Sequence, residues 1–318
     1  GTRQPGGTVH PRMKGQHFLL SVLLTSFQHT NGFISTGSSC QFGRSRALWN
    51  EMPAAASGTT SSEEKSTVSY NRASIKGVIF DIDGTLADSW KLGFDATQEV
   101  LVKNSIDKIT EEIYHSHCVY CTPDRLARHA GLLPGDADFE SVGERLGKEF
   151  DDLYVDLVSV ETAGFYDEIE TMLGRINPDV KLGALTNACV AYAHAVLQKN
   201  CPVYASEEEN GNEEKKTAAG GLRPVYDRFS AIHGADDVPK PKPHPDGLHK
   251  CCEDMGLDPK DCVYIGDSPT DAMAAEAAGM TPIGVMWGSN GEEKLRAAPF
   301  QFLCNSVEEL AQLLPIVD

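Results

Sequence analysis

Lys76-Gly-Val-Ile-Phe-Asp81-Ile-Asp83-Gly84-Thr85-Leu86 is the stretch on which the reading of this chain turns. Val78, Ile79 and Phe80 are β-branched or aromatic in succession, the composition of a strand buried on both faces. Side chains two apart on a strand point the same way, so Asp81 and Asp83 leave its end side by side. Two carboxylates that close repel unless a cation lies between them or one keeps its proton. Either arrangement is chemistry; a solvated Asp-x-Asp turn is the plain alternative, and the rest of the chain decides between them.

Three more such stretches follow. Lys181-Leu-Gly-Ala-Leu-Thr186-Asn187 reads as a second buried strand, ending in a hydroxyl and an amide ahead of a helical run from Ala188 to Leu197. In Val238-Pro239-Lys240-Pro241-Lys242-Pro243-His244-Pro245-Asp246, prolines deny the backbone helix and ladder hydrogen bonds, which helps hold a lysine in an extended turn. Cys262-Val-Tyr-Ile-Gly266-Asp267-Ser-Pro-Thr-Asp271 is a third buried strand ending in an acid, with an alanine-rich helix after it. Thr281 to Trp287 reads as a further strand and Ser306 to Leu314 as a closing helix. Strands alternating with helices imply an α/β fold: a doubly wound, mostly parallel sheet that binds ligands at the carboxyl ends of its strands.

Taken in order, the four stretches resemble the four motifs of the haloacid dehalogenase (HAD) superfamily. The first looks like Asp-x-Asp-Gly-Thr of its phosphatase branch, the third like Lys-Pro-x-Pro and the fourth like Gly-Asp-x-x-x-Asp. The resemblance implies a Rossmann-like HAD core, residues 74–87 and 176–318, with a helical cap domain, residues 88–175, inserted after the first strand. It implies Asp81 as nucleophile and Asp83 as general acid and base, with Thr186 bonding the phosphoryl oxygens and Asn187 beside it. Lys242 is preferred to Lys240 as the motif lysine, because Pro245-Asp246, a helix to Met255-Gly256 and the next strand follow it at the family spacing. Mg²⁺ would be held by Asp81, the Asp83 backbone carbonyl and Asp267, while Asp271 orients water or Lys242. The dehalogenase branch lacks an acid at the second position, so Asp83 argues for phosphoryl transfer. Over residues 76 to about 315 the chain looks most like the phosphoglycolate phosphatase type, including Gly-Asp-Ser followed by Ala-Ala-x-Ala-Ala-Gly. The expected function is Mg²⁺-dependent hydrolysis of a small phosphorylated metabolite, phosphoglycolate-like or a sugar phosphate. A phosphomutase on the same scaffold and an inert HAD-fold interaction protein are the alternatives.

Between the first two motifs the pattern turns helical. Trp90, Phe94, Val100 and Leu101 fall near helical spacing, and Phe150, Leu153, Tyr154, Leu157 and Val158 form an apolar stripe. His115-Ser-His117-Cys118-Val-Tyr-Cys121 has zinc-ligand spacing but no second ligand pair in the cap, so packed cysteines and surface histidines are the expectation. In Thr122-Pro123-Asp124-Arg125-Leu-Ala-Arg128-His129 a proline opens a helix whose Arg125, Arg128 and His129 stand at i, i+3 and i+4. These three are candidates to contact an anionic substrate tail, against the alternative of a solvated basic face.

The net charge of −18 disfavours nucleic acid or an anionic membrane as partner. Nine cysteines scattered over 318 residues suggest reduced thiols. Residues 1–73 read as a targeting leader and disordered linker. After Met13 and Lys14 comes the apolar run Phe18–Phe27, with the length of a secretory h-region, and then a stretch rich in Ser, Thr, Gly and Ala and nearly free of acids before Glu51. A signal followed by a transit-like stretch opening at Phe33 resembles the bipartite leader of plastids acquired by secondary endosymbiosis; the secretory pathway is the second reading, and the mature protein is expected to have no membrane role. Pro53 to Arg72 has too few apolar residues to bury, and Glu207 to Gly221 reads as a flexible surface insertion.

Overall fold

The structure is a computed structural model and describes residues 70–201, 203–204 and 223–317. Residues 1–69 of the leader and linker, and the insertion from Glu207 to Gly221, lie outside the described residues. In chain order come β1 (Gly77–Phe80), β2 (Ala87–Asp88), α1 (Trp90–Lys103), α2 (Glu111–His117), α3 (Thr122–His129), α4 (Phe139–Asp156), β3 (Gly164–Phe165), α5 (Ile169–Arg175), β4 (Lys181–Leu185) and α6 (Val190–Asn200). There follow β5 (Val203–Tyr204), β6 (Arg223–Pro224), β7 (Phe229–His233), α7 (Asp246–Met255), β8 (Cys262–Gly266), α8 (Pro269–Ala278), β9 (Thr281–Val285), α9 (Glu292–Ala297), β10 (Phe302–Cys304) and α10 (Val307–Leu313).

Six strands make one sheet in the order β10-β9-β8-β1-β4-β7, with every pairing parallel. The chain leaves β1 toward β4 and β7, then crosses back to β8, β9 and β10, so the strand order reverses beside β1. A crevice opens at such a reversal, beyond the carboxyl ends of the strands. Val78 and Phe80 enter one apolar cluster with Leu182, Val263, Ile265 and Val196, while Ile79 and Tyr264 enter a second with Leu248, Met255 and Ala274. That is the period of two, with helices covering both faces, and it makes this an α/β doubly wound fold. Among the described residues no helix is long and apolar enough to cross a membrane, and the eight cysteines are free thiols.

Helices α1 to α4 are inserted between β2 and β3, which pair antiparallel through Ala87 and Phe165 and so tie the entry of the insertion to its exit. Helices α1 and α3 both pack on α4. Gly143 lets α3 come close, since a Cβ there would stand 2.6 Å from the Pro123 carbonyl oxygen. Phe150, Tyr154 and Val158 of the expected stripe are buried, whereas Leu157, at the C-cap of α4, is 40% exposed. Helix α5, which the sequence reading places in the cap, packs on α10; Val317 N donates to the Arg175 carbonyl, and Arg228 donates to the carbonyls of Leu173 and Ile176. It lies with the sheet, and the helical insertion closes earlier, at the β2–β3 ribbon.

Candidate active site

The carboxyl ends of β1, β4 and β8 deliver Asp81, Thr186 and Asp267 to the mouth of the crevice, and the proline-rich segment delivers Lys242. Lys242 is 4% exposed, and Lys240 is an exposed surface side chain. The Lys242 ammonium lies 2.9 Å from Asp81 Oδ1 and 2.8 Å from Asp271 Oδ1, and donates to the Tyr264 hydroxyl at 2.9 Å. Burial works against its charge, but Asp271 and Asp81 more than offset that and raise its pKa. Asp271 also closes the N-terminus of α8 in a capping box with Ser268. Asn187 lines the cavity, but its amide is spent on the backbone of Lys242, donating to the carbonyl and accepting from the N–H, both at 3.1 Å. It clamps the lysine segment to the end of β4.

Asp83 stands where the chain turns after β1, followed by Gly84 at φ +74°, a conformation that glycine adopts without strain. A Cβ on Gly84 would also strike the Asp267 carboxylate at 2.4 Å. Asp83 Oδ1 accepts from the hydroxyls of Ser89, Tyr154 at 3.0 Å and Tyr192 at 2.6 Å, while Oδ2 accepts from Thr186 at 3.2 Å. Tyr154 comes from the inserted α4 and Tyr192 from α6 of the core.

Asp81, Asp267 and Asp271 each bring an oxygen within 4.8 Å of the others, all three buried. Burial pushes Asp81 well above the usual carboxylate range, Lys242 pulls it down, and Asp271, Asp267 and Asp83 push it up again. Asp267 is pushed up to about 7 by burial and by Asp271, although Ser289 N donates to it. Three buried carboxylates against one lysine leave uncompensated negative charge among hard oxygen donors, which fits a divalent cation. Among the described residues this is the group of His, Cys, Asp or Glu that converges as metal ligands do. The His-Cys run does not converge so: Cys118 Sγ donates to the Tyr114 carbonyl, and His117 Nδ1 meets His129 Nδ1 at 3.2 Å.

Opposite the sheet, the wall comes from α2, α3 and α4, enclosing a cavity of about 170 Å³. Of the three basic residues expected to face substrate, Arg125 lines this cavity. Its guanidinium is 7% exposed and lies over the rings of Phe150 at 4.6 Å and Tyr114 at 5.3 Å. Arg128 instead lies over the Tyr120 ring at 3.9 Å. His129 is buried against His117 and Tyr114, and burial, Arg125 and His117 push it down to about 3, so it carries no charge at neutral pH. The i, i+3, i+4 spacing puts the three side by side, but the packing of α3 on α2 and α4 separates their environments. Sequence reasoning does not single out Tyr154, Tyr192 and Tyr264, because they sit in the apolar stripe of α4, the helical run after Asn187 and the strand β8. Their signal was the hydroxyl, which a buried tyrosine must satisfy.

A family model described as a haloacid dehalogenase-like hydrolase matches residues 75–279, which include every one of these side chains. The chain belongs to the haloacid dehalogenase-like hydrolases. Among relatives of this HAD-like hydrolase, a phosphoglycolate phosphatase of Pectobacterium atrosepticum is 27% identical over 246 residues, 76% of this chain and 92% of the relative. Another from Shigella boydii is 25% identical over 256 residues, with the same coverage. The solved structure of Rhodobacter sphaeroides CbbY in complex with xylulose-(1,5)bisphosphate superposes with a TM-score of 0.57 at 19% identity, covering 73% of this HAD-like hydrolase and 94% of that chain. It shares the fold.

Proposed function

We propose that this HAD-like hydrolase is a Mg²⁺-dependent phosphatase of small phosphomonoesters with an anionic tail, of the phosphoglycolate kind, acting through an aspartyl phosphate. The observation that carries the reading is the convergence of Asp81, Asp83, Thr186, Lys242 and Asp267 in one cavity at the carboxyl ends of parallel strands. The Asp81 carboxylate attacks phosphorus as the bond to the leaving oxygen breaks, and Asp83 gives that oxygen its proton. Asp83 then takes a proton from the water that hydrolyses the acyl phosphate. Thr186 and Lys242 bind the phosphoryl oxygens, and Asp271 with Tyr264 holds Lys242 in place. Asp81, Asp267 and the Asp83 carbonyl would hold Mg²⁺, which supplies charge that lets a carboxylate approach a phosphate dianion.

Arg125 supports the anionic tail, since among the described residues no carboxylate lies within ion-pair distance of its buried guanidinium. The cavity is smaller than the roughly 300–1,000 Å³ usual for drug-sized ligands, which favours a short metabolite. The names of the curated relatives agree. A panel of phosphomonoesters assayed with Mg²⁺ and with chelator tests the reading: 2-phosphoglycolate should rank at the top in kcat/KM, and chelator should abolish turnover. Failure to hydrolyse any phosphomonoester in Mg²⁺ would refute it. Residues 13–72 are read as a removable plastid address, supported by the apolar run and the acid-poor stretch after it. N-terminal sequencing of native protein should begin beyond Gly32; an intact Met13–Arg72 would end that reading.

A further inference from the structure

We infer that Tyr154 and Tyr192 are positioning residues for Asp83, anchoring its Oδ1 so that Oδ2 is the oxygen that carries and delivers the proton. The inference rests on the phosphatase reading and deepens it. Three hydroxyls from three separate segments meet on Oδ1: Ser89 ahead of α1, Tyr154 on α4 and Tyr192 on α6. Among the described residues Oδ2 has a single, longer contact, from Thr186 at 3.2 Å. A carboxylate oxygen has two lone pairs, so three donors saturate it. Turning the carboxyl about its Cβ–Cγ bond would break all three bonds, whereas Oδ2 is free to exchange one weak donor for a leaving-group oxygen. The proton passes from Oδ2 to the leaving alkoxide and returns to Oδ2 from the attacking water, and the phenols keep theirs throughout.

Packing alone does not explain the two hydroxyls. The rings stack with centroids 4.1 Å apart and planes 14° apart, both buried, and phenylalanine would fill the same space. The tyrosines instead aim two buried phenolic donors at one carboxylate oxygen, where a charge-assisted hydrogen bond is strong. Tyr154 belongs to the inserted helices and Tyr192 to the core, so Oδ1 has its full set of donors only when the insertion rests on the core as it does here. The position of the insertion is thereby read by the acid/base itself.

Tyr154→Phe and Tyr192→Phe each delete one donor and keep the stack. On 2-phosphoglycolate each should lower kcat by about tenfold and move KM by less than about twofold. On p-nitrophenyl phosphate, whose leaving group needs little protonation, the fall should stay under about threefold. Ser89→Ala touches neither ring and should show the same split, which keeps the test clear of any packing defect. Equal losses on both substrates, or no loss on either, would overturn the anchor. Asp83→Asn is measured alongside. If it discriminates between the leaving groups and the three hydroxyl variants do not, the anchor fails while the acid/base reading stands. If Asp83→Asn does not discriminate either, both fail together.

Discussion

The two ends of the cavity are both built on buried charge, with opposite sign and unequal compensation. At the sheet end Asp81, Asp267 and Asp271 face one lysine, and the whole group is tied to strand ends and to the cap of α8. At the helical end the Arg125 guanidinium has aromatic faces for neighbours. Isolated buried charge is expensive. On the proposed reading the first end takes a cation and a phosphoryl group, and the second an anionic tail. The sheet-end carboxylates Asp81 and Asp271 lean directly on Lys242, whereas among the described residues no carboxylate lies within ion-pair distance of Arg125. The two should respond differently to the removal of one charge.

The largest effect is expected at the sheet end. Lys242→Met leaves Asp81 and Asp271 buried without their cation, which should cost about 3–5 kcal/mol in urea denaturation and take turnover to background. A variant as stable as the parent would mean that the carboxylates are neutral without the lysine. At the helical end the stability effect should be small. Arg125→Met breaks no ion pair among the described residues and keeps an apolar stem over Phe150 and Tyr114, so it should move thermal stability little, yet raise KM for 2-phosphoglycolate about 10- to 100-fold. KM for an aryl phosphate should hardly move; equal shifts for both substrates would dissolve the contrast between the ends.

The smallest effect concerns Asp151, on α4, whose Oδ1 is buried without a hydrogen-bond partner. Burial pushes its carboxyl up to about 7, Arg125 pulls it down, Asp236 and Asp152 push it up, and a bond with Cys189 lowers it. The folded chain thus holds this proton more tightly than the unfolded chain does. Stability from this group is full below the ordinary carboxylate range, falls as pH rises toward about 7, and is level above that. Asp151→Asn should remove the slope, gaining about 1–2 kcal/mol at pH 8 and little at pH 4, after discounting for partial solvent contact. Parallel stability curves for variant and parent across that interval would contradict the assignment.

How much of this could be read beforehand follows the same division. The strands and the residues at their ends were legible, because a sheet buried on both faces writes itself as short apolar runs and its carboxyl ends collect the polar side chains. The choice of Lys242 over Lys240 needed only the spacing to the next helix and strand, and the structure places the first in the ion-pair network and the second in solvent. The helical wall was harder. Helical spacing brings Arg125, Arg128 and His129 to neighbouring positions, but which of them meets the cavity depends on how α3 sits between α2 and α4. Periodicity along one helix does not contain that packing. Nor does it mark α5 as a companion of α10, since a short amphipathic helix reads alike whichever side of a boundary it serves. Asn187 stands just beyond the end of β4, and its amide is satisfied by the Lys242 backbone, a partner 55 residues away that no local pattern reveals.

The most direct test of the central claim, that Asp81 and not its neighbour two residues on takes the phosphoryl group, is rapid-quench trapping of the radiolabelled phosphoenzyme followed by peptide mapping. The label should fall on Asp81 and be absent from Asp81→Asn, whose turnover should drop to background even where substrate still binds. Under the same quench Asp83→Asn, slowed on the order of 10² to 10⁴ in turnover, should carry more label when an aryl phosphate is the donor. A label on Asp83, or an Asp81→Asn enzyme with near-normal kcat, would contradict the assignment.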